Sequence, residues 1–184
     1  MVVNEALPLT EAGFWEMIRA ARAGETSVEG TVRALETALG QRSPEDLIAF
    51  NGFAWAYFSR LDRKELWAAA YVIRGGCSDD GFAYFREWLI LQGKDVVMGA
   101  GMDPDSLADP PLTERASHEG LLSMAKGLYE ARLRRPFPED ADWPSIDVRG
   151  WPEDRVKDYA WTEATTARLF PRLTAKRALR PPPL

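Results

Sequence analysis

The sequence contains one cysteine, Cys77, and one histidine, His118. A lone cysteine forms no disulfide within its chain, so a disulfide-stapled secreted framework is excluded and a reducing cytoplasm is the expected compartment. One Cys and one His also leave no zinc-ligand spacing, and no metal centre or cofactor is expected. No stretch approaches the roughly 20 apolar residues that cross a bilayer, and no basic-then-apolar leader is present. The expectation is therefore a protein with neither a membrane span nor a signal peptide. The double glycine Gly75-Gly76 lacks the lysine of a phosphate-binding loop, and no serine stands in a nucleophile elbow.

Aromatic residues are plentiful: seven Trp, eight Phe and five Tyr among 184 residues, in a chain that is 46% hydrophobic and 28% charged. That length supports one domain with a sizeable core, and the rings are expected to build it. The net charge of −5 is unevenly spread. Residues 165–184 hold five basic residues and no acid, which leaves 18 basic and 28 acidic residues before them. So acidic a body argues against broad nucleic-acid binding, while the basic terminus hints at a partner.

Apolar residues recur at helical spacing from the start. Phe14, Met17, Ile18 and Ala21 follow a Thr10 cap, and Val28, Val32, Leu35 and Leu39 follow Ser27. Ser43-Pro44-Glu45-Asp46 opens a third helix with cap, proline and first-turn acids in their favoured positions. Gly52 in that helix is expected to mark a close approach by another helix. Asp62 is the expected cap of a fourth helix, with Glu65 completing a capping box. From 66 to 73 the run is apolar on nearly every side, which predicts a buried helix. Gly75-Gly76 ends it, and Ser78-Asp79-Asp80 starts the next, whose apolar face is Phe82, Phe85, Trp88 and Leu89. A helical turn over 94–100, a turn capped by Asp103, a break at Asp109-Pro110-Pro111 and a helix over 117–133 follow. Residues 136–152 have no helical period, and Trp143-Pro144 and Trp151-Pro152 read as anchors of an extended strap. A turn over 156–161 and a final helix over 165–179, with Pro171 near its start or kinking it, complete the pattern before the tail Arg180-Pro181-Pro182-Pro183-Leu184.

The predicted fold is all-α: a compact helical bundle around the buried helix, with a Trp/Pro-rich C-terminal strap. The expected organisation is a helical domain over 1–164 and a basic C-terminal helix and proline-rich tail over 165–184. The stretch Trp67-Ala68-Ala69-Ala70-Tyr71-Val72-Ile73, then Gly75-Gly76-Cys77-Ser78-Asp79-Asp80-Gly81-Phe82, Tyr84-Phe85 and Trp88-Leu89, resembles the bacterial family catalogued as domain of unknown function 4240. Phe14-Trp15 and 103–109 are similar to the same family, so the resemblance spans roughly residues 10–130. It implies a small, cytosolic, largely helical bacterial protein and supplies no catalytic residues.

Three groups of residues could carry chemistry. Cys77, beside a helix N-terminus, is a candidate nucleophile, although His118 is the only histidine available as its base and two aspartates oppose a thiolate. Asp79, Asp80 and Glu87 could hold a divalent cation or form an acidic groove with Tyr84, since Asp80 and Glu87 share a helix face. Arg74 and Arg86 are near enough in sequence to neutralise it. Finally, Arg168, Arg172, Lys176 and Arg180 recur every four residues and would line one face of a helix. Such a stripe could dock on a partner or fold back on the acidic body. The function expected from this pattern is a non-enzymatic protein-interaction module. The alternative is a small metal-dependent or acid–base hydrolase with its site at the 75–84 hinge, so the sequence leaves enzymatic activity undecided.

Overall fold

Helix starts follow the caps written in the sequence. In the computed structural model, which describes residues 9–109, 116–138, 143–155 and 161–178, the amides of Gly13, Gly30 and Gly81 donate to Thr10, Ser27 and Ser78 side chains at 3.0–3.2 Å. The residues before Leu9, the Pro110-Pro111 break, most of the turn expected over 156–161, and Arg180 with the proline tail lie outside the described residues. All regular structure among the described residues is helical: α1 Glu11–Arg22, α2 Val28–Gly40, α3 Pro44–Arg60, α4 Lys64–Arg74, α5 Asp79–Leu91, α6 Lys94–Met102, a 3-10 helix Pro104–Ala108, α7 Leu121–Leu133, α8 Glu163–Leu169 and α9 Pro171–Ala178. The chain divides into two compact units, Met1–Tyr57 with Gly120–Ile146, and Phe58–Glu119 with Asp147–Leu184.

The first unit is organised by rings. Phe14 on α1 is fully buried and lies 4.9 Å from both Trp15 and Phe50, with Tyr57 stacked at 6.0 Å. Trp15 meets Tyr57 edge-on at 4.7 Å, and the Tyr57 hydroxyl donates to Glu11 at 2.5 Å. Aromatic pairs of this kind contribute about 1 kcal/mol each beyond the area they bury. Arg132 of α7 donates to the Arg42 carbonyl at 2.6 Å, satisfying an acceptor just past the end of α2. Gly52 does mark a close approach, but the neighbour is a proline from the segment after α7: a Cβ at Gly52 would lie 2.7 Å from Pro144 Cδ.

The second unit is built on α4. Leu66, Ala68, Ala69, Ala70, Val72 and Ile73 are all buried, as the apolar run predicts, whereas Trp67 is half-buried and Tyr71 is 43% exposed. The alanines let α8, α9 and the 3-10 helix pack close to it. Trp67 stacks on Phe82 of α5 at 4.9 Å, extending the ring cluster through Phe85 to Trp88.

The start of α4 departs from its predicted cap. Asp62 is turned to Arg86, 3.5 Å away. The carboxylate that receives the Lys64 amide, at 2.9 Å, belongs to Asp154. Arg63 donates to Asp154 as well, at 2.9 Å, and to the Gly101 and Pro152 carbonyls. Glu65, only 2% exposed, accepts from the Arg155 amide at 2.8 Å and from its guanidinium at 2.5 Å. A distant Asp-Arg pair thus replaces the local capping box, because one carboxylate in reach satisfies the orphan amide whatever its place in the chain.

Two further boundaries differ from the periodic pattern. The seventh helix starts at Leu121, not at 117, because the His118 amide is committed to the Tyr84 carbonyl at 3.0 Å and Gly120 turns the chain at φ 119°. The final helix is split in two at Phe170, since Pro171 brings no amide hydrogen to continue α8.

Candidate functional site

The 75–84 hinge is a helix stop followed by a helix start. Gly75 adopts φ 75°, a conformation glycine takes without strain, and its amide bonds to the Tyr71 carbonyl at 3.0 Å. Cys77 follows, half-buried, with its carbonyl accepting from Trp67 Nε1 at 3.0 Å. Burial pushes the Cys77 thiol above its ordinary range; the neighbouring Arg74 charge and hydrogen bonds from Arg74 and Trp67 act in the opposite direction without reversing it. A raised pKa means less thiolate at neutral pH. Labelling of Cys77 by a disulfide reagent should accordingly lag behind free cysteine at pH 8 and catch up only as pH rises further. A rate–pH profile with its midpoint at or below that of free cysteine would contradict this.

Asp79 and Asp80 are exposed in the first turn of α5, where their charge complements the helix dipole. Neither makes an ion pair among the described residues. Arg74 reaches the Gly81 carbonyl. Arg86 is buried, bonded to the Phe58 carbonyl at 3.2 Å and laid 3.8 Å over the Phe58 ring. Burial lowers the Arg86 pKa, and Asp62 and Glu87 oppose that shift. Tyr84 sits one turn beyond Asp80. The charge of Glu119 raises its phenol above the ordinary tyrosine range, with burial, a hydrogen bond to the same Glu119, and the charges of Asp80 and Glu87 adding to the effect. Glu87 itself is buried. The structure therefore brings Asp80, Tyr84 and Glu87 onto one face and adds Glu119. Helical periodicity could not reveal Glu119, because it arrives through the backbone bond from His118 to Tyr84.

The basic residues have separate surroundings. Arg168 is exposed on α8. On α9, Arg172 pairs with Asp109, and the Lys176 ammonium donates to the Ala108 carbonyl. Asp105, 4% exposed, caps α9 from the 3-10 helix by accepting the Arg172 and Leu173 amides at 3.1 and 2.9 Å. Arg177, not singled out by the four-residue stripe, lies over the hinge: a Cβ at Gly75 would be 3.2 Å from its Nη2.

Beside Arg177 opens a cleft of about 500 Å³ within the second unit. Tyr71 and Val72 of α4 form one wall, Trp161, Thr162, Glu163 and Thr166 the second, and Thr174, Arg177 and Ala178 the third. Trp161 meets Tyr71 edge-on at 6.4 Å. Among the described residues no group of three His, Cys, Asp or Glu side chains is placed to hold a metal, and no helix is long and apolar enough to cross a membrane.

The family model for a protein of unknown function, DUF4240, matches residues 9–131. The chain belongs to the DUF4240 family. No curated protein and no solved structure matches it. The DUF4240 match takes in α1 to α6 and nearly all of α7, with the hinge and the acidic face of α5. It stops short of Asp154, Arg155, α8 and α9, so two of the three cleft walls lie beyond it.

Proposed function

We propose that this DUF4240 protein is a cytoplasmic, non-enzymatic interaction module that receives a basic segment of a partner protein on the acidic face of α5. The observation that carries this reading is the position of Asp79 and Asp80. Both are exposed, and the two arginines nearest in sequence are engaged elsewhere, Arg74 with a carbonyl and Arg86 with Asp62 and Phe58. Glu119, beside the uncharged phenol of Tyr84, extends the same negative surface. Charges left without internal partners set the field that steers and orients an oppositely charged ligand. A hydrolase at the hinge has less support, because burial disfavours the Cys77 thiolate.

The test is binding of a fluorescent oligolysine peptide to the full chain, followed by anisotropy at low and physiological salt. Wild type should bind, and more weakly as salt increases. The triple variant Asp79→Asn/Asp80→Asn/Glu119→Gln, with three exposed charges worth about 0.5 kcal/mol each, should bind about tenfold more weakly. Equal binding by the triple variant, or none by wild type at low salt, would refute the acidic-face interface.

A further inference from the structure

We infer that the cleft between α4, α8 and α9 binds a small zwitterion bearing an aromatic ring, of the size of an aromatic amino acid or a short peptide. The first observation is Tyr71. It is the one exposed side chain of α4, and it stands in the cleft wall with Trp161 edge-on to it. A second ring laid against these two would remove exposed apolar surface and gain ring–ring contact. The second observation is a pair of opposite charges in the same lining. Neither the Glu163 carboxylate nor the Arg177 guanidinium makes an ion pair or a side-chain hydrogen bond among the described residues, although Arg172 and Lys176 on the same helix as Arg177 are both engaged. Arg177 offers a planar donor fork that fits a carboxylate, and Glu163 offers an acceptor for an ammonium.

A third lining residue, Thr174, has a buried Oγ1 with no hydrogen-bond partner among the described residues, a group that a bound polar ligand would satisfy. The volume of about 500 Å³ lies in the usual range for small-molecule sites. Glu163 opposes a phosphate dianion, and the mixed lining disfavours a purely apolar ligand. What remains is a ligand with a ring, one negative end and one positive end.

The site does not depend on the acidic face of α5, and oligolysine binding should be indifferent to its loss. Calorimetric titration of the full chain with three probes tests it: L-tryptophan, indole-3-acetate, which lacks the ammonium, and tryptamine, which lacks the carboxylate. L-tryptophan should bind about tenfold more tightly than either. Arg177→Gln should remove its advantage over tryptamine, and Glu163→Gln its advantage over indole-3-acetate. Tyr71→Leu should weaken all three while leaving the melting temperature near wild type. No heat from any probe, equal affinity for all three, or an L-tryptophan affinity unchanged in both charge variants would overturn the inference.

Discussion

Gly101→Ala should lose about 2 kcal/mol of stability, a reversal of what glycine-to-alanine exchange does inside a helix. Alanine ordinarily favours the helix by about 1 kcal/mol. At Gly101, on α6, an added Cβ would fall 2.0, 2.3 and 2.5 Å from Cε2, Cζ2 and Cδ2 of Trp151. Those are three atoms of a rigid ring, so no rotation of a flexible side chain relieves the clash. The indole must leave its seat, forfeiting about 3 kcal/mol of burial and packing. Gly99, in the same helix, supplies the control: a Cβ there meets Ser106 Oγ at an ordinary 3.4 Å. Urea denaturation should show Gly99→Ala equal to or more stable than wild type, and Gly101→Ala clearly less. Equal midpoints for the two variants would show that Trp151 does not occupy that seat in solution.

Removing Arg155 should cost about 3 kcal/mol. Its partner Glu65 is 2% exposed and holds both the Arg155 amide and guanidinium. A buried carboxylate deprived of its cation is among the most costly defects in a folded protein, about 3–5 kcal/mol. The Arg155 side chain is itself 53% exposed, so water can partly replace it, which favours the lower end of that range. Arg155→Ala should therefore lower the urea midpoint strongly. Glu65→Leu/Arg155→Leu, which removes both charges, should recover most of the loss. A double variant as unstable as Arg155→Ala would mean that the Arg155 side chain contributes packing and not charge compensation.

Both effects hinge on contacts that the sequence conceals. Thr10, Ser27 and Ser78 were legible as caps because a cap and its amide lie three residues apart, within reach of any local pattern. The buried character of α4 was legible because an apolar run admits few other readings. The capping box Asp62–Glu65 was just as well formed locally, and failed because Asp154 and Arg155 compete from 90 residues away. Gly52 announced a close neighbour but not its identity, since a missing side chain records space without recording what fills it. The candidate sites divide the same way. Asp80, Tyr84 and Glu87 share a face by periodicity, whereas Glu119 joins them through one backbone bond from an adjoining segment. The cleft at Tyr71 draws its walls from three segments of chain and left a single local trace, a tyrosine within an apolar run.

Each compact unit is assembled from two separated lengths of chain, Met1–Tyr57 with Gly120–Ile146 and Phe58–Glu119 with Asp147–Leu184. During synthesis the ring cluster around Phe14 is complete within the first length, but α2 must wait for α7, and much of the other unit emerges before it. That unit in turn waits for Asp154 and Arg155 to hold the start of α4, and for α9, whose first amides donate to Asp105. The family match ends at residue 131, inside α7. A fragment cut at the matched boundaries would leave Glu65 without its cation and α4 without its capping carboxylate. The segment matched to the family therefore lacks contacts on which the start of α4 relies, and those contacts come from chain beyond the match.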